Sequence, residues 1–461
     1  MVPESEMSDA LSIVDLARRT GEPVELLREW RELGLISAPG QERFGPEAVE
    51  RTRLVRLFVR RGIGLETVAA WVRSGRMERY LELLVPRTSE PQYSIAEAAT
   101  MAGLDPALVE RMARAATLGA ADGTFDAEGL AILRGLKTSL EAGFPEDALE
   151  QFARVYGDAL GRVAESEAHL FHFYVRHRLQ AQGLSGPALS EAMNAAGRLM
   201  TPLAEPAILY FHRRALERAM REEAVMELAE EAGLRGQADV PGQLTAAIVF
   251  VDLSSFTPLA EVMGDVKAAE VLERFSRLVR DVAGRSEGRV VKQIGDAFML
   301  VFPDARSALA CAVDIERRTM AEPQFPAVRS GVHSGPVLYR EGDYVGTNVN
   351  LASRLATEAD RHQILATAAV RREASGLPGV EFVGLGRRRL KGMIGEMELF
   401  AARPAEEAGR ERLVDPVCGM ELRPAEVAAR LLLEGKELAF CSQECLRRLV
   451  AAPDLYRAAR A

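Results

Sequence analysis

Ala246-Ala-Ile-Val-Phe-Val-Asp252 and Arg289-Val-Val-Lys-Gln-Ile-Gly-Asp-Ala-Phe-Met-Leu-Val-Phe302 are the stretches on which the reading of this chain turns. Each is an apolar run of strand length, rich in β-branched and aromatic residues. Asp252 closes the first run, and Asp296 sits at a Gly-Asp turn inside the second. A buried charge without a partner is costly, so two carboxylates converging from neighbouring strands predict divalent cations between them. Hard oxygen donors select Mg²⁺ or Mn²⁺, ions that bridge phosphate oxygens in phosphoryl or nucleotidyl transfer. A third stretch, Gly342-Asp-Tyr-Val-Gly-Thr-Asn-Val-Asn-Leu-Ala-Ser-Arg354, sets Asp343, Asn350 and Arg354 in order. Asn350 and Arg354 are spaced i and i+4, which places them on one face of a predicted helix.

These three pieces, with FVDLSSFTPLAE from Phe250 and Lys292 four residues before Asp296, resemble the catalytic domain of the class III adenylate cyclases. The resemblance implies an α/β domain with a mixed sheet on a ferredoxin-like βαββαβ core, active as a homodimer. It implies Asp252 and Asp296 as ligands of two Mg²⁺ or Mn²⁺ ions, Lys292 and Asp343 as adenine contacts, Asn350 as the ribose-orienting residue and Arg354 as the stabiliser of α-phosphate charge. Lys391, in Arg387-Arg-Arg-Leu-Lys-Gly-Met393, falls where the family places a lysine on the terminal phosphates. The chemistry agrees: adenine presents an acceptor at N1 and an amine at N6, which a Lys donor and an Asp acceptor complement, and a planar, always-charged guanidinium suits developing phosphate charge. Guanine presents the opposite pattern, so ATP is the expected substrate. In the family, metal aspartates from one subunit meet the adenine pair, Asn and Arg of the other.

Competing motifs fail on spacing. Gly331-Val-His-Ser-Gly335 lacks the G-x-S-x-G order of a hydrolase elbow, so His333 reads as structural, and no G-x-x-x-x-G-K-[ST] run occurs.

At 461 residues the chain calls for two to four domains. A 48% hydrophobic and 27% charged composition is that of a soluble protein, and no apolar run approaches the ~20 residues of a membrane span. The acidic start, MVPESEMSDALS, lacks the order of a secretory signal, so a cytoplasmic location is expected, and the net charge of -9 opposes broad attraction to nucleic acid or anionic membranes.

The amino-terminal half reads as all-α. Asp15-Leu-Ala-Arg-Arg-Thr-Gly21, Leu27-Arg-Glu-Trp-Arg-Glu-Leu-Gly-Leu-Ile36 and the run from Glu42 to Val68 resemble the winged helix-turn-helix domain of the MerR family. That resemblance implies DNA as a partner, with Arg18, Arg19, Arg28 and Arg43 where such domains touch phosphates or base edges. Glu22, Glu25, Glu29 and Glu32 nearly balance these arginines, so a solvated helix face is the competing account. The pattern recurs about 82 residues later, in the runs starting at Tyr93 and Thr124, with most basic positions replaced, as a copy that packs against protein would show. Expected segments are a MerR-like domain over 1–88, a degenerate copy over 89–155, a helical dimerisation and linker region over 156–240, the cyclase domain over 241–403 and a tail over 404–461. The helical region is expected to break near Gln182–Ser190 and at Leu199–Ala207. His169, His172, His177 and His212 lie there, either as a pH-titrating cluster or as solvated surface.

In the tail, Asp415-Pro-Val-Cys-Gly-Met-Glu-Leu422 and the run from Glu437 to Tyr456 hold Cys418, Cys441 and Cys445 and resemble the YHS domain, a small treble-clef-like module associated with heavy metals. Three thiolates suit Zn²⁺ or another soft ion, with Asp415, Met420 or water as candidates for the fourth position. The ion is either structural or a signal that tunes the cyclase. Disulfide pairing is opposed by the expected compartment and the odd thiol count. Cys311, among alanines, reads as core packing. Two functions remain at this stage: an adenylate cyclase regulated by its flanking modules, and a DNA-binding regulator that uses a silent cyclase domain to sense nucleotide and dimerise.

Overall fold

The computed structural model describes residues 11–45, 47–75, 77, 81, 93–116, 124–232, 240–405 and 413–456. The first ten residues, the expected boundary at residue 88, positions 117–123 of the second copy and most of both linkers lie outside that set. The chain divides into two units, Met1–Arg235 and Gly236–Ala461.

In the first unit, Ser12 accepts a hydrogen bond from the Asp15 amide at 3.2 Å while the Asp15 carboxylate accepts from the Ser12 amide at 3.1 Å, a reciprocal cap on α1 (Ile13–Thr20). Such a cap is worth about 1 kcal/mol. Three further helices follow, α2 (Val24–Glu32), α3 (Glu47–Arg60) and α4 (Leu65–Arg73), and bury Leu16, Leu27, Trp30, Phe44, Val55 and Val68 together. Leu11 pairs with Phe44 in an isolated antiparallel bridge. The same plan recurs. Strands β1 (Tyr93–Ser94) and β2 (Thr124–Phe125) pair, Ser94 and Glu97 form the same reciprocal cap on α5 (Ile95–Ala102), and α6 (Pro106–Ala115) and α7 (Ala127–Glu141) complete the copy. Its core is made of smaller residues, with Ala98, Ala99 and Ala102 beside Val109, Leu130 and Leu133.

Helix α8 (Glu146–Leu170) runs through a π-turn at Phe171–Val175 into α9 (Arg176–Ala181), and α10 (Gly186–Glu231) follows. The break expected near Gln182–Ser190 is present between α9 and α10, whereas none occurs at Leu199–Ala207: Pro202 and Pro206 lie inside α10. Each proline removes one i→i−4 bond, a local loss that the long flanking helical runs absorb. His169, His172, His177 and His212 are all exposed.

The second unit is built on β3 (Gln243–Leu253), a central strand whose residues Ala246–Val251 are buried on both faces. Helices α11 (Phe256–Met263) and α12 (Asp265–Arg285) lead to the hairpin β4 (Arg289–Ile294) and β5 (Ala297–Phe302). Then come α13 (Ala305–Ala321), β6 (Val328–Arg340), β7 (Asp343–Val345), α14 (Thr347–Glu358), β8 (Gln363–Thr367), α15 (Ala368–Glu373), β9 (Val380–Arg388) and β10 (Met397–Pro404). The strands form one mixed sheet in the order β4-β5-β3-β6-β8-β10-β9, with β7 added to β6. Only β6 and β8 run parallel. On one face Val249, Val251, Phe298 and Leu300 pack with Phe275 and Val279 of α12 and Leu309 of α13. On the other, Ile248, Phe250 and Met299 pack with Val349 and Ala352 of α14. Helix α14 reaches β6 at Gly331, where a Cβ would lie 2.2 Å from the Ala356 amide nitrogen, so no side chain fits.

The chain ends with the pair β11 (Leu413–Val414) and β12 (Glu421–Leu422), the hairpin β13 (Ala429–Leu433) and β14 (Lys436–Phe440), and α16 (Gln443–Ala451). Val417, Met420, Leu422, Phe440 and Leu449 of this module belong to the same core cluster as β3, α12 and α13. A polar joint adds to it. His362 lies between Glu316 and Glu421, with Nε2 2.5 Å from Glu421, and both carboxylates are almost wholly buried. Burial alone would lower the imidazole pKa, but hydrogen bonds to Glu316 and Glu421 raise it to about 9. A histidine raised in this way lends stability that is full below about 6.5 and is lost as pH rises through about 9. The unfolding free-energy advantage of the wild type over His362→Gln should therefore shrink from pH 7 to pH 9.5, by an amount on the order of 2 kcal/mol, as a calorimetric pH series would measure.

Candidate active site

Strand alternation places Asp252 on the α14 face of the sheet with Ala246, Ile248 and Phe250. Its register partner on β6 is Arg329, whose Nη2 and Nε donate to Asp252 Oδ2 at 2.6 and 3.0 Å. Arg329 Nη1 also reaches the Thr357 carbonyl at the end of α14, at 3.3 Å. Asp296 occupies the tight turn between β4 and β5 and is half-buried. Desolvation first, and then the charge and hydrogen bonding of nearby Asp252, raise its pKa to about 6. Two carboxylates with a single guanidinium between them are one positive charge short. Oxygen donors in that state fit a hard divalent cation such as Mg²⁺ or Mn²⁺.

Lys292, opposite Met299 in the β4–β5 pairing, donates to Asp343 Oδ2 at the start of β7. Asp343 Oδ1 accepts the Tyr344 amide at 2.8 Å. The ammonium and carboxylate are 37% and 35% exposed, so separating them to admit a ligand costs only about 1 kcal/mol or less. Apart, they offer one donor and one acceptor side by side.

Asn350 and Arg354 project from α14 and are exposed, as is Lys391 in the turn between β9 and β10. The start of α14 is fixed through His333, which is buried on β6 with Nδ1 3.0 Å from Thr367 Oγ1 and Nε2 2.9 Å from Asn348 Oδ1. Asn348 Nδ2 donates in turn to the Pro336 carbonyl at 2.6 Å. With both ring nitrogens engaged, His333 is a structural pin. Burial holds its pKa below the ordinary range. Arg329 escaped the sequence reading because its role comes from cross-strand register, which nothing in the order of residues announces.

A second cluster lies in the tail. Asp415, Cys418, Cys441 and Cys445 hold their donor atoms within 4.8 Å of one another, and among the described residues no other such group of three or more occurs. Of the candidates for a fourth donor, Asp415 is the side chain brought to the sulfurs, while Met420 is buried in the core. Hydrogen bonds from Cys418 and Cys441 hold the Cys445 thiol well below its ordinary range, and the same contacts push Cys418 up. Cys311 is wholly buried in α13, as core packing requires. In the first unit Arg18, Arg28 and Arg43 are exposed and Arg19 is half-buried, with Arg18 3.4 Å from Asp15. No described helix is long and apolar enough to cross a membrane.

Residues 241–403 match the family described as adenylate and guanylate cyclase catalytic domain, and residues 11–74 match the MerR helix-turn-helix regulatory proteins. The chain is 29% identical over 309 residues to a pH-sensitive adenylate cyclase, MT1302, of Mycobacterium tuberculosis, covering 65% of this chain and 75% of that one. It is 30% identical over 297 residues to an adenylate cyclase of Streptomyces coelicolor, covering 62% of this chain and 72% of that one. The chain thus belongs to the adenylate and guanylate cyclase family, and it carries that catalytic domain behind an amino-terminal MerR-type helix-turn-helix domain.

Proposed function

We propose that this protein is an adenylate cyclase that converts ATP to cyclic AMP and pyrophosphate as a homodimer with two equivalent sites. The observation that carries the reading is the pairing of Lys292 with Asp343 in a domain that also forces Asp252 and Asp296 together. In the reaction, Lys292 donates to adenine N1 and Asp343 accepts from the N6 amine. Asn350 orients the ribose so that its 3′-oxygen lies in line with the α-phosphorus. Arg354 neutralises the charge that grows on the α-phosphate, and Lys391 holds the terminal phosphates. Asp252 and Asp296 would hold two Mg²⁺ or Mn²⁺ ions, which, when bound, polarise the α-phosphate and stabilise the attacking and departing oxygens. Each site takes its metal aspartates from one subunit and its base, ribose and phosphate contacts from the other.

The helical amino-terminal unit and the cysteine-bearing tail are regulatory on this reading, and the protein works in the cytoplasm. A second reading, a DNA-binding regulator with a silent cyclase domain, draws on the match of residues 11–74 to MerR proteins and on exposed Arg18, Arg28 and Arg43.

Product analysis with ATP or GTP and Mg²⁺ or Mn²⁺ tests the assignment: cyclic AMP from ATP is expected, Asp296→Ala should abolish it, and a silent wild type would favour the second reading. Mixed Asp252→Ala and Arg354→Ala chains, each inactive alone, should recover activity through heterodimers that retain one intact site. No recovery at any ratio would exclude shared sites. Because protonated Asp296 cannot ligate a cation, the apparent affinity for Mn²⁺ should be flat above pH about 6 and weaken roughly tenfold per unit below it. A Mn²⁺ titration series from pH 5 to 8 would check the slope.

A further inference from the structure

The tail cluster has the dimensions of a metal site. Cys418 and Cys441 sulfurs lie 3.5 Å apart, and those of Cys441 and Cys445 3.6 Å. Tetrahedral Zn–S bonds of about 2.3 Å place neighbouring sulfurs about 3.8 Å apart, whereas a disulfide needs about 2.0 Å. Asp415, itself wholly buried, is held at the cluster by the amides of Val417 and Cys441, each at 2.8 Å, and Cys418 at 3.4 Å. Three thiols and a carboxylate make a four-donor set for a borderline or soft divalent ion.

The turn that carries Cys418 is also the surface of the tail that meets the catalytic domain. Gly419 has φ +72 and lies so close to Ser255 that a Cβ would come within 2.7 Å of the Ser255 Cβ. Its carbonyl accepts from Arg361 Nη2 at 2.8 Å, and Arg361 Nη1 donates to Ser255 Oγ at 3.3 Å. Arg361 Nη2 lies 3.3 Å from Glu421, the carboxylate that also holds His362. Met420 bridges to Pro326, and the next residue, Ala327, accepts the Ser254 amide at 2.7 Å. Ser254 and Ser255 lie two and three residues after Asp252, beyond Leu253 at the end of β3, and Ser255 itself adopts φ 64, a conformation that external contacts must hold. Arg448 of α16 adds a bond to the Glu261 carbonyl on α11 at 3.3 Å.

We propose that Asp415, Cys418, Cys441 and Cys445 bind a soft divalent cation such as Zn²⁺, and that its occupancy is transmitted through Gly419 and Arg361 to Ser255 and so to the position of Asp252. Arg361 is then a positioning residue for the catalytic cation site, to which the tail ion is an outer support. The coupling rests on Asp252 and Asp296 holding a cation, as in the cyclase reading, while the tail site does not.

The test uses the full-length protein, with zinc measured by elemental analysis and Mn²⁺ binding by titration calorimetry, the Mn²⁺ signal being assigned by its loss in Asp296→Asn. Wild type reconstituted under reducing conditions should hold about one zinc per chain, and Cys445→Ser should lose it. Stripping zinc from the wild type with a chelator should weaken Mn²⁺ binding about tenfold, and zinc re-addition should restore it. Arg361→Gln should keep its zinc yet show the weaker Mn²⁺ binding. A wild type that takes up no zinc overturns the site, and Mn²⁺ affinity that ignores both zinc removal and Arg361→Gln overturns the coupling. If zinc and Mn²⁺ behave as stated and no form makes a cyclic nucleotide, the coupling stands and the cyclase reading falls.

Discussion

The antiparallel pairing of β3 with β6, in register from Gln243 opposite Leu338 to Leu253 opposite Val328, is the constraint on which the catalytic domain depends. It sets Asp252 against Arg329, brings Ser254 to Ala327, and aligns Gly331 under α14. A slip of one residue would turn every side chain of β3 to the opposite face. It would turn Asp252 towards Phe275 and Phe298 and take Val251 off the face it shares with them. The burial of Ala246–Val251 on both faces is what makes such a slip prohibitive.

Electrostatics in the site divides into two arrangements with different readiness for a ligand. Lys292 and Asp343 satisfy each other at a partly exposed position, so water and salt weaken the pair and a ligand can part it cheaply. Asp252 and Asp296 are more confined, and Arg329 offsets only part of their charge. Burial first, and then the part of the Asp252 charge that Arg329 leaves uncompensated, raise the pKa of Asp296. On the cyclase reading proposed above, the first arrangement would take a polar ligand edge and the second positive charge, the two things a metal-nucleotide complex brings.

The tail is joined to the catalytic domain by more than a linker. Its apolar residues share a core with β3 and α13, and Glu421 lies in a buried charge cluster with His362, Glu316 and Arg361. Buried charge clusters are weak sources of net stability but tolerate few alternative geometries. This one therefore serves to specify a docking position. That position lies beside the residues that follow Asp252, which is why the chemistry of a small cysteine module bears on a site outside it.

Residue order by itself determined the elements and the chemistry they carry: apolar strands ending in carboxylates, the i,i+4 pair Asn350 and Arg354, the amino-terminal helical pattern that recurs about 82 residues on, and three clustered cysteines. Those features are local, set by periodicity and burial cost within a few residues. Tertiary structure alone decided what meets across long stretches of chain. Arg329 joins Asp252 through strand register, Asp415 completes the cysteine cluster, and Glu316, Arg361, His362 and Glu421 assemble from separate elements. No local rule encodes such meetings, since each joins side chains from elements that lie tens of residues apart in sequence.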